Sequence, residues 1–308
     1  MKKQTISVVI SAYNEEEKIE ECLKSASFTD EIIFVDNSST DKTGEIAKKY
    51  TSKIFTRPNN LMLNVNKNFG FTKATGDWIL SLDADERVSP ELRDEIKSEI
   101  RSANWRTKSE INGYWIPRKN IIFGKWVQHT GWYPDHQMRL FRRGKGKFPQ
   151  HHVHEMIKIQ GKTDYLKEHI IHYNFESIQQ FLHKHVNIYA PNEAEELLRK
   201  GYVFNWQDAI RFPIREFIKR FFTQEGYKDR FFGLMLSIGM AFYHFIIFAY
   251  LWEKQGFGEF EKENFLVGSE RELQKAQKEL RFWFVNERIK AQKNMLKKVW
   301  LKIRRRVL

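Results

Sequence analysis

The sequence predicts an α/β protein in which a doubly wound mixed sheet is followed by a helical carboxyl-terminal region. Apolar, β-branched runs alternate with helical patterns over the first 110 residues. Residues 113–141 are rich in aromatic residues and glycine and lack a long helical pattern, whereas helical periodicity dominates from Ser177 onwards. We therefore expect a first domain at 1–175, made of halves 1–110 and 111–175, and a helical region at 176–308.

The strands and helices of the first half are predicted from local patterns. Apolar runs predict strands at 6–10, 31–35, 52–55 and 78–82. Between them, Asn14 is expected to cap a helix that opens at 15–17, a second helix is expected at 40–50, and Ser89-Pro90-Glu91 marks a third helix start. Ligands of such sheets bind beyond the carboxyl ends of the strands. The polar groups predicted there are residues 11–15, 36–39, 67–70 and 83–85.

The most informative of these groups is Asp83-Ala84-Asp85, which directly follows the apolar strand 78–82. Because the chain turns at a strand end, the two carboxylates can converge on one hard cation such as Mg²⁺ or Mn²⁺. Such a cation keeps positions for phosphate oxygens. The alternative is that both residues only form a turn or cap a helix.

Composition excludes several classes of protein. The single cysteine, Cys22, rules out an internal disulfide and fits a reducing compartment. The apolar run 6–10 is too short for a secretory signal. Neither Gly-x-Gly-x-x-Gly nor Gly-x-x-x-x-Gly-Lys-Ser/Thr is present, which disfavours a dinucleotide-binding fold and a P-loop NTPase.

Positive charge is concentrated at the carboxyl terminus. Residues 269–308 contain 13 Lys/Arg and 4 Asp/Glu, a difference of +9 within the net charge of +13. Apolar residues recur among these charges at helical spacing, which favours an amphipathic helix on an anionic membrane surface over packing on the protein's own body, and disfavours nucleic acid.

A second segment also points to a membrane. Residues 231–252 lack Asp, Glu, Lys and Arg and are long enough to span a bilayer. Basic residues flank this segment on both sides, which favours an in-plane or re-entrant helix on the cytoplasmic face over a crossing or a helix buried in a homo-oligomer.

Several motifs together resemble those of the inverting family 2 glycosyltransferases, which have the GT-A fold. They are Ile-Ser-Val-Val-Ile-Ser-Ala-Tyr-Asn-Glu-Glu (6–16), Ile-Phe-Val-Asp-Asn-Ser-Ser-Thr-Asp-Lys-Thr (33–43), Lys-Asn-Phe-Gly (67–70) and Leu-Asp-Ala-Asp-Glu (82–86). The run from Gly131 to Arg143 and Val153-His154-Glu155 look like the branch that contains the lipopolysaccharide core β-1,4-glucosyltransferase.

The resemblance assigns expected roles to individual residues. The nucleotide pocket would be lined by Ala12, Tyr13, Glu15, Asp36 and Lys67. Asp83 and Asp85 would serve the metal and the diphosphate, and Asp135 would be the catalytic base. Apart from the resemblance, side-chain chemistry indicates that His154 completes the metal shell or contacts the diphosphate, or else is structural, with His172 a weaker candidate for the same role. On the same grounds, Arg139 and Arg142 hold phosphate or an anionic acceptor, or lie on a strand surface.

The same resemblance implies transfer of a hexose from a UDP-sugar, UDP-glucose foremost, to a lipid-linked saccharide such as the lipopolysaccharide inner core. The expected location is peripheral or monotopic on the cytoplasmic face of the inner membrane. One alternative is transfer to a polyprenyl phosphate. Another is a non-catalytic nucleotide- or membrane-binding scaffold on the same fold.

Overall fold

The computed structural model describes residues 4–59, 63–101, 110–149, 155–259 and 265–306. The chain forms two compact units. The first extends to Trp126 and includes Tyr133–Asn174, and the second contains Val127–Trp132 and the residues from Phe175 onwards.

The first unit is built on a large mixed sheet. Its strands are β1 (Ile6–Ala12), β2 (Glu31–Asp36), β3 (Ile54–Thr56), β4 (Trp78–Leu82), β5 (Glu86–Val88), β6 (Ile111–Ile122), β7 (Lys125–Trp126), β8 (Asp135–Arg142), β11 (Lys162–Tyr165) and β12 (Ile170–Phe175), while β9 (Gly146–Lys147) and β10 (Lys158–Ile159) form a separate pair. The order is β3-β2-β1-β4-β8-β6-β12-β5, with β7 and β11 also paired to β6. Strands β3, β2, β1 and β4 are parallel, and β8 is antiparallel to β4. The predicted mixed α/β sheet is confirmed.

Helices cover the parallel strands on both faces. They are α1 (Ile19–Ala26), α2 (Thr43–Ala47), α3 (Leu63–Lys73) and α4 (Pro90–Arg101). Every residue of β1 and β4 is buried, as expected of central parallel strands. One core contains Leu23 of α1 and Leu92 of α4, and the other contains Phe71 of α3.

The prediction that Asn14 caps the first helix is wrong. Helix α1 begins at Ile19, and Asn14 has a positive φ of 53°. Its side chain instead reaches the loop after β2, where Oδ1 accepts a hydrogen bond from the Thr40 backbone N–H at 2.8 Å and Nδ2 donates to Thr40 Oγ1 at 3.1 Å. Asn14 thus joins the loops that follow two neighbouring strands.

Residues 67–70 lie in α3, not in a loop at a strand end as predicted. The helix approaches β1 closely at Gly70, where an added Cβ would lie 2.4 Å from Val9 Cγ1 and 3.1 Å from Val35 Cγ2. This close approach holds the preceding turn of α3, which carries Lys67, beside the sheet.

The second unit is helical, which confirms the predicted carboxyl-terminal region. Its α-helices are α5 (Ile178–His183), α6 (Ala190–Arg199), α7 (Asp208–Ile218), α8 (Arg230–Lys254), α9 (Phe265–Ala291) and α10 (Met295–Arg306), with π-helical turns at Lys184–Tyr189 and Lys219–Thr223 and a 3₁₀ turn at Gly226–Asp229. Ser177 caps α5, because its Oγ accepts a hydrogen bond from the Gln180 N–H at 3.1 Å.

Helix α8 has a packed face and an exposed face. The packed face includes Leu236, Met240 and Leu251. The exposed face is a stripe of large apolar side chains, Phe231, Met235, Ile238, Phe242, Phe245 and Trp252, each at least 40% exposed. By length and composition, Gly226–Lys254 is the one helix within the described residues that could cross a membrane.

We predict that Gly70→Ala lowers the free energy of unfolding by about 1–3 kcal/mol, because the added methyl group must displace Val9 or α3. Urea denaturation measures the change. The matched control is Thr72→Ala, which alters an exposed position of the same helix and should change the value by less than about 0.5 kcal/mol. Equal effects at the two positions would show that α3 has room at Gly70.

Candidate active site

Lys67, Glu86 and Arg139, which are buried, form a charge network with the partly exposed Asp83 at the carboxyl end of β4. Asp83 Oδ1 is paired with Lys67 Nζ, and Asp83 Oδ2 accepts from Arg139 Nη2 at 2.6 Å. The same Arg139 nitrogen donates to Glu86 Oε1 at 2.7 Å. Glu86 is fully buried, and its Oε2 accepts from the Asp83 backbone N–H at 3.0 Å.

The opposite charges in this network set its protonation. Burial acts to raise the pKa of Asp83, but the adjacent Arg139 and Lys67 cations outweigh it and hold that pKa well below its usual value. Burial acts to lower the pKa of Arg139, and Asp83 and Glu86 raise it instead. The carboxylate of Asp83 is therefore ionised and bound to two cations.

Asp135 lies at the first residue of β8, and it is held by donors from β6 and β8. Its Oδ2 accepts from Arg118 Nε at 2.9 Å and from Asn120 Nδ2 at 3.2 Å, while Oδ1 accepts from Gln137 Nε2 at 2.8 Å. Arg118 also donates to Glu86 Oε1 at 3.1 Å, which connects Asp135 with the network around Asp83. Burial would raise the pKa of Asp135, but the Arg118 charge and these hydrogen bonds lower it overall.

Asp85 faces a different partner from Asp83. Its Oδ2 lies 3.4 Å from His172 Nε2, and the other ring nitrogen of His172, Nδ1, is 2.7 Å from Asn120 Oδ1. His172 is on β12 and is buried. The structure thus brings Asp85 and Asp135 into one network through His172 and Asn120.

This geometry tests whether the site fits a divalent cation. Because Asn120 Nδ2 donates to Asp135, Asn120 Oδ1 faces His172 and must accept a hydrogen bond from Nδ1. Nε2 is then the ring nitrogen that faces the Asp85 carboxylate, and a cation shared by the two groups would stabilise this arrangement. Imidazole and carboxylate both bind Mn²⁺, so the pair fits.

The rest of a metal shell is not supplied by the described side chains. Within the described ranges, no group of three or more His, Cys, Asp and Glu residues is placed to hold a metal ion. His154 lies outside the described residues. Direct ligation by Asp83 stays a prediction, since both of its oxygens are bound to cations here.

Four of the predicted nucleotide-binding residues, Ala12, Tyr13, Glu15 and Asp36, lie at or just beyond the ends of β1 and β2, and the fifth, Lys67, lies in α3. Ala12 is buried and is the register partner of Asp36, and Tyr13 is 39% exposed. Asp36 Oδ1 accepts from the Ser39 backbone N–H at 2.9 Å, so its observed role is to hold the loop after β2. The Glu15 N–H donates to Thr43 Oγ1 at 2.8 Å. Their contacts with a nucleotide stay predictions.

The sequence patterns did not single out Glu86, Arg118, Asn120 or Gln137. Spacing along a strand could have identified Arg118, Asn120 and Gln137, because residues two apart on a strand share a face. Arg118 and Asn120 are so spaced on β6, and Asp135, Gln137 and Arg139 on β8. Arg142, considered together with Arg139, lies instead over the Trp78 ring at 4.7 Å and donates to the Ile111 carbonyl.

We predict that Arg139→Met destabilises the protein by about 3 kcal/mol or more at neutral pH, because it leaves buried carboxylates without their shared cation. The control is Arg142→Met, which removes a half-exposed cation–π contact and should cost about 1 kcal/mol. Chemical denaturation of both variants gives the comparison. A cost for Arg139→Met no greater than that of the control would contradict the structural role of the network.

Sequence comparisons match this chain to a family model and to relatives. The family model described as glycosyl transferase family 2 matches residues 7–157. A glycosyltransferase of Rickettsia typhi, itself uncharacterized, is 31% identical over 265 residues, which cover 82% of this chain and 88% of that protein. The lipopolysaccharide core biosynthesis glycosyltransferase LpsC of Rhizobium meliloti is 25% identical over 260 residues, which cover 82% of this chain and 93% of LpsC.

Solved structures are more distant. S. aureus TarS 1–349 in complex with UDP-GlcNAc has 15% identity and a TM-score of 0.43, covering 84% of this chain and 94% of that one. The mannosyltransferase PcManGT of Pyrobaculum calidifontis, in complex with GDP-Man and Mn²⁺, has 11% identity and a TM-score of 0.43, covering 84% and 77%. Because both TM-scores are low, the assignment rests on the sequence matches and on the mixed sheet described above. The chain belongs to the family 2 glycosyltransferases and has their GT-A fold.

Proposed function

We propose that this protein is an inverting hexosyltransferase that moves a sugar, glucose by its resemblance, from a UDP-sugar to a lipid-linked saccharide at a membrane surface. The observation that carries the proposal is the single network that joins Asp135 to Asp85 through Asn120 and His172. It would place a base for the acceptor near residues that bind the departing diphosphate.

Asp135 is ionised, as a general base must be before it accepts a proton. In the transfer, the acceptor hydroxyl oxygen forms a bond to the anomeric carbon, the bond from that carbon to the diphosphate breaks, and UDP leaves with the electron pair. The hydroxyl proton passes to Asp135, which is ionised because its pKa is lowered. Oδ2 is occupied by Arg118 and Asn120, whereas Oδ1 accepts only from Gln137 among the described residues, so Oδ1 keeps a lone pair for the proton.

The departing diphosphate requires positive charge. A Mg²⁺ or Mn²⁺ ion held by Asp85 and His172 would supply it, with the remaining ligands from the diphosphate and water. Lys67 and Arg139, which bind Asp83 in this structure, add two further cations close to the same strand end. His154 stays a candidate for the same metal.

The relative LpsC, named for lipopolysaccharide core biosynthesis, supports a saccharide acceptor of that kind. The helical unit supports a membrane location on the cytoplasmic face. Leu301 of α10 packs on Val285 and Ile289 of α9, so one face of α10 is bound to the protein.

Among the described residues, the opposite face of α10 is exposed. Leu296, Trp300 and Ile303 are 83%, 57% and 60% exposed. They recur every three or four residues and form one apolar stripe. Lys and Arg flank the stripe, and no acidic residue follows Glu287 in the chain. Exposed apolar residues bordered by positive charge are complementary to an anionic bilayer surface.

We predict that the protein incubated with Mn²⁺, membrane lipid extract and a panel of radiolabelled UDP-hexoses turns over one of them, and that EDTA abolishes this. Asp135→Asn, which keeps the side-chain shape, should reduce kcat by about 10²–10⁴-fold and leave the Kd for UDP within about threefold. Undiminished turnover by Asp135→Asn would remove Asp135 from the role of base.

The same assay separates the alternatives. A product that is stable to mild acid supports a saccharide acceptor, whereas an acid-labile sugar phosphate supports transfer to a polyprenyl phosphate. UDP binding without turnover of any donor in the panel would support the scaffold.

We also predict that the protein sediments with vesicles containing anionic phospholipid and only weakly with zwitterionic vesicles. Leu296→Asp together with Trp300→Asp should abolish sedimentation, since charge replaces the apolar contact. Tyr165→Asp, which changes a 60% exposed residue of the first unit, is the control and should leave sedimentation unchanged. Sedimentation of the double variant at the wild-type level would exclude α10 as the anchor.

A further inference from the structure

Asn120 is the one described side chain with hydrogen bonds to both Asp135 and His172. It lies on β6 and is fully buried. Its Nδ2 donates to Asp135 Oδ2 at 3.2 Å, and its Oδ1 accepts from His172 Nδ1 at 2.7 Å. An amide is the side chain that presents a donor and an acceptor on one planar group, so it can serve an ionised carboxylate and a protonated ring nitrogen at once.

We propose that Asn120 is a positioning residue that ties the metal-binding side of the site to the base, so that one amide fixes both the His172 tautomer and the ionised form of Asp135. The proposal rests on the proposed function for the roles of Asp85, His172 and Asp135. It adds a residue that acts on both halves of the reaction without touching donor or acceptor.

The expected effect of Asn120 on metal binding follows from the orientation of the His172 ring. Residues that accept a hydrogen bond from the non-ligating nitrogen of a histidine fix its tautomer, and their loss typically lowers metal affinity about 10–100-fold. With Asn120 Oδ1 accepting from Nδ1, Nε2 is the ring nitrogen that faces Asp85 Oδ2, 3.4 Å away, and it would be the nitrogen that binds the cation.

The expected effect of Asn120 on the base follows from the hydrogen-bond donors to Asp135. Asn120 and Arg118 both donate to Oδ2, and among the described residues only Gln137 donates to Oδ1. Each donor favours the charged carboxylate, so removal of one raises the pKa of Asp135. Transfer that needs the ionised form then falls off at a higher pH, and the acid limb of the pH profile moves upward.

Three variants separate the effect of Asn120 on metal binding from its effect on Asp135. Asn120→Ala removes both contacts. Asn120→Asp retains an acceptor for His172 Nδ1 but replaces the donor to Asp135 with a carboxylate. Gln137→Ala is the matched control, because it removes a donor from Asp135 and has no hydrogen bond to His172.

Two measurements are made on each full-length variant. One is the Kd for Mn²⁺ alone, measured by electron paramagnetic resonance without donor or acceptor. The other is the acid limb of kcat/KM for the UDP-sugar that wild type uses. Asn120→Ala should raise the Mn²⁺ Kd at least tenfold and move the acid limb upward. Asn120→Asp and Gln137→Ala should keep the Kd within threefold and move the acid limb upward by about one pH unit.

Both measurements can overturn the proposal. An unchanged Mn²⁺ Kd or an unmoved acid limb in Asn120→Ala overturns the proposal. If Asn120→Ala does not fold, Asn120→Asp provides the test. The proposal is then overturned if the acid limb of the pH profile does not move in that variant, or if the variant no longer binds Mn²⁺. If wild type turns over no UDP-sugar, the proposed function fails. The Mn²⁺ titrations of Asn120→Ala and Gln137→Ala then still show whether Asn120 holds His172 for a cation.

Discussion

A guanidinium group with almost no access to water holds the site together. Arg139 on β8 is shared by Asp83, after β4, and Glu86, on β5. None of these charges is stable in a protein interior alone, because burial of an unpaired ion costs far more than one hydrogen bond returns. The three segments must therefore meet for any of them to be buried, and Asp85 and His172 take their places next to this fixed arrangement.

The sequence predicts much of the fold because strands and helices have periods that can be read locally. Strand β4 has the predicted bounds, and α4 begins at Pro90 after Ser89. Asn14 was misassigned because a side chain that can cap a helix can equally bind a neighbouring loop, and only the pairing of β1 with β2 brings Thr40 within reach. Local patterns hold no information about such contacts between segments distant in the chain.

The sequence predicted Asp83, Asp85 and Asp135 as residues of the candidate site and missed Glu86, which shares Arg139 with Asp83. Asp85 and Asp135 follow from position and family resemblance, but their connection through Asn120 depends on the register of β6 against β8, where Arg118 pairs with Asp135. The spacing of Arg118 and Asn120 shows that they share a face of β6, but it does not show which residues of β8 they meet. The two carboxylates of Asp83 and Asp85, expected to converge, contact different partners here, and side chains near a strand end tend to project on different sides.

The single cysteine gives this site an internal reporter. Cys22 is fully buried on α1, and its thiol donates to the Asp83 carbonyl at 3.3 Å. Burial raises the pKa of the thiol, so little reactive thiolate exists near neutral pH. A thiol reagent can modify Cys22 only when the packing around it, which includes the turn that carries Asp83, opens. The rate of modification therefore measures local opening of the site, and ligands that hold this turn in place should slow it.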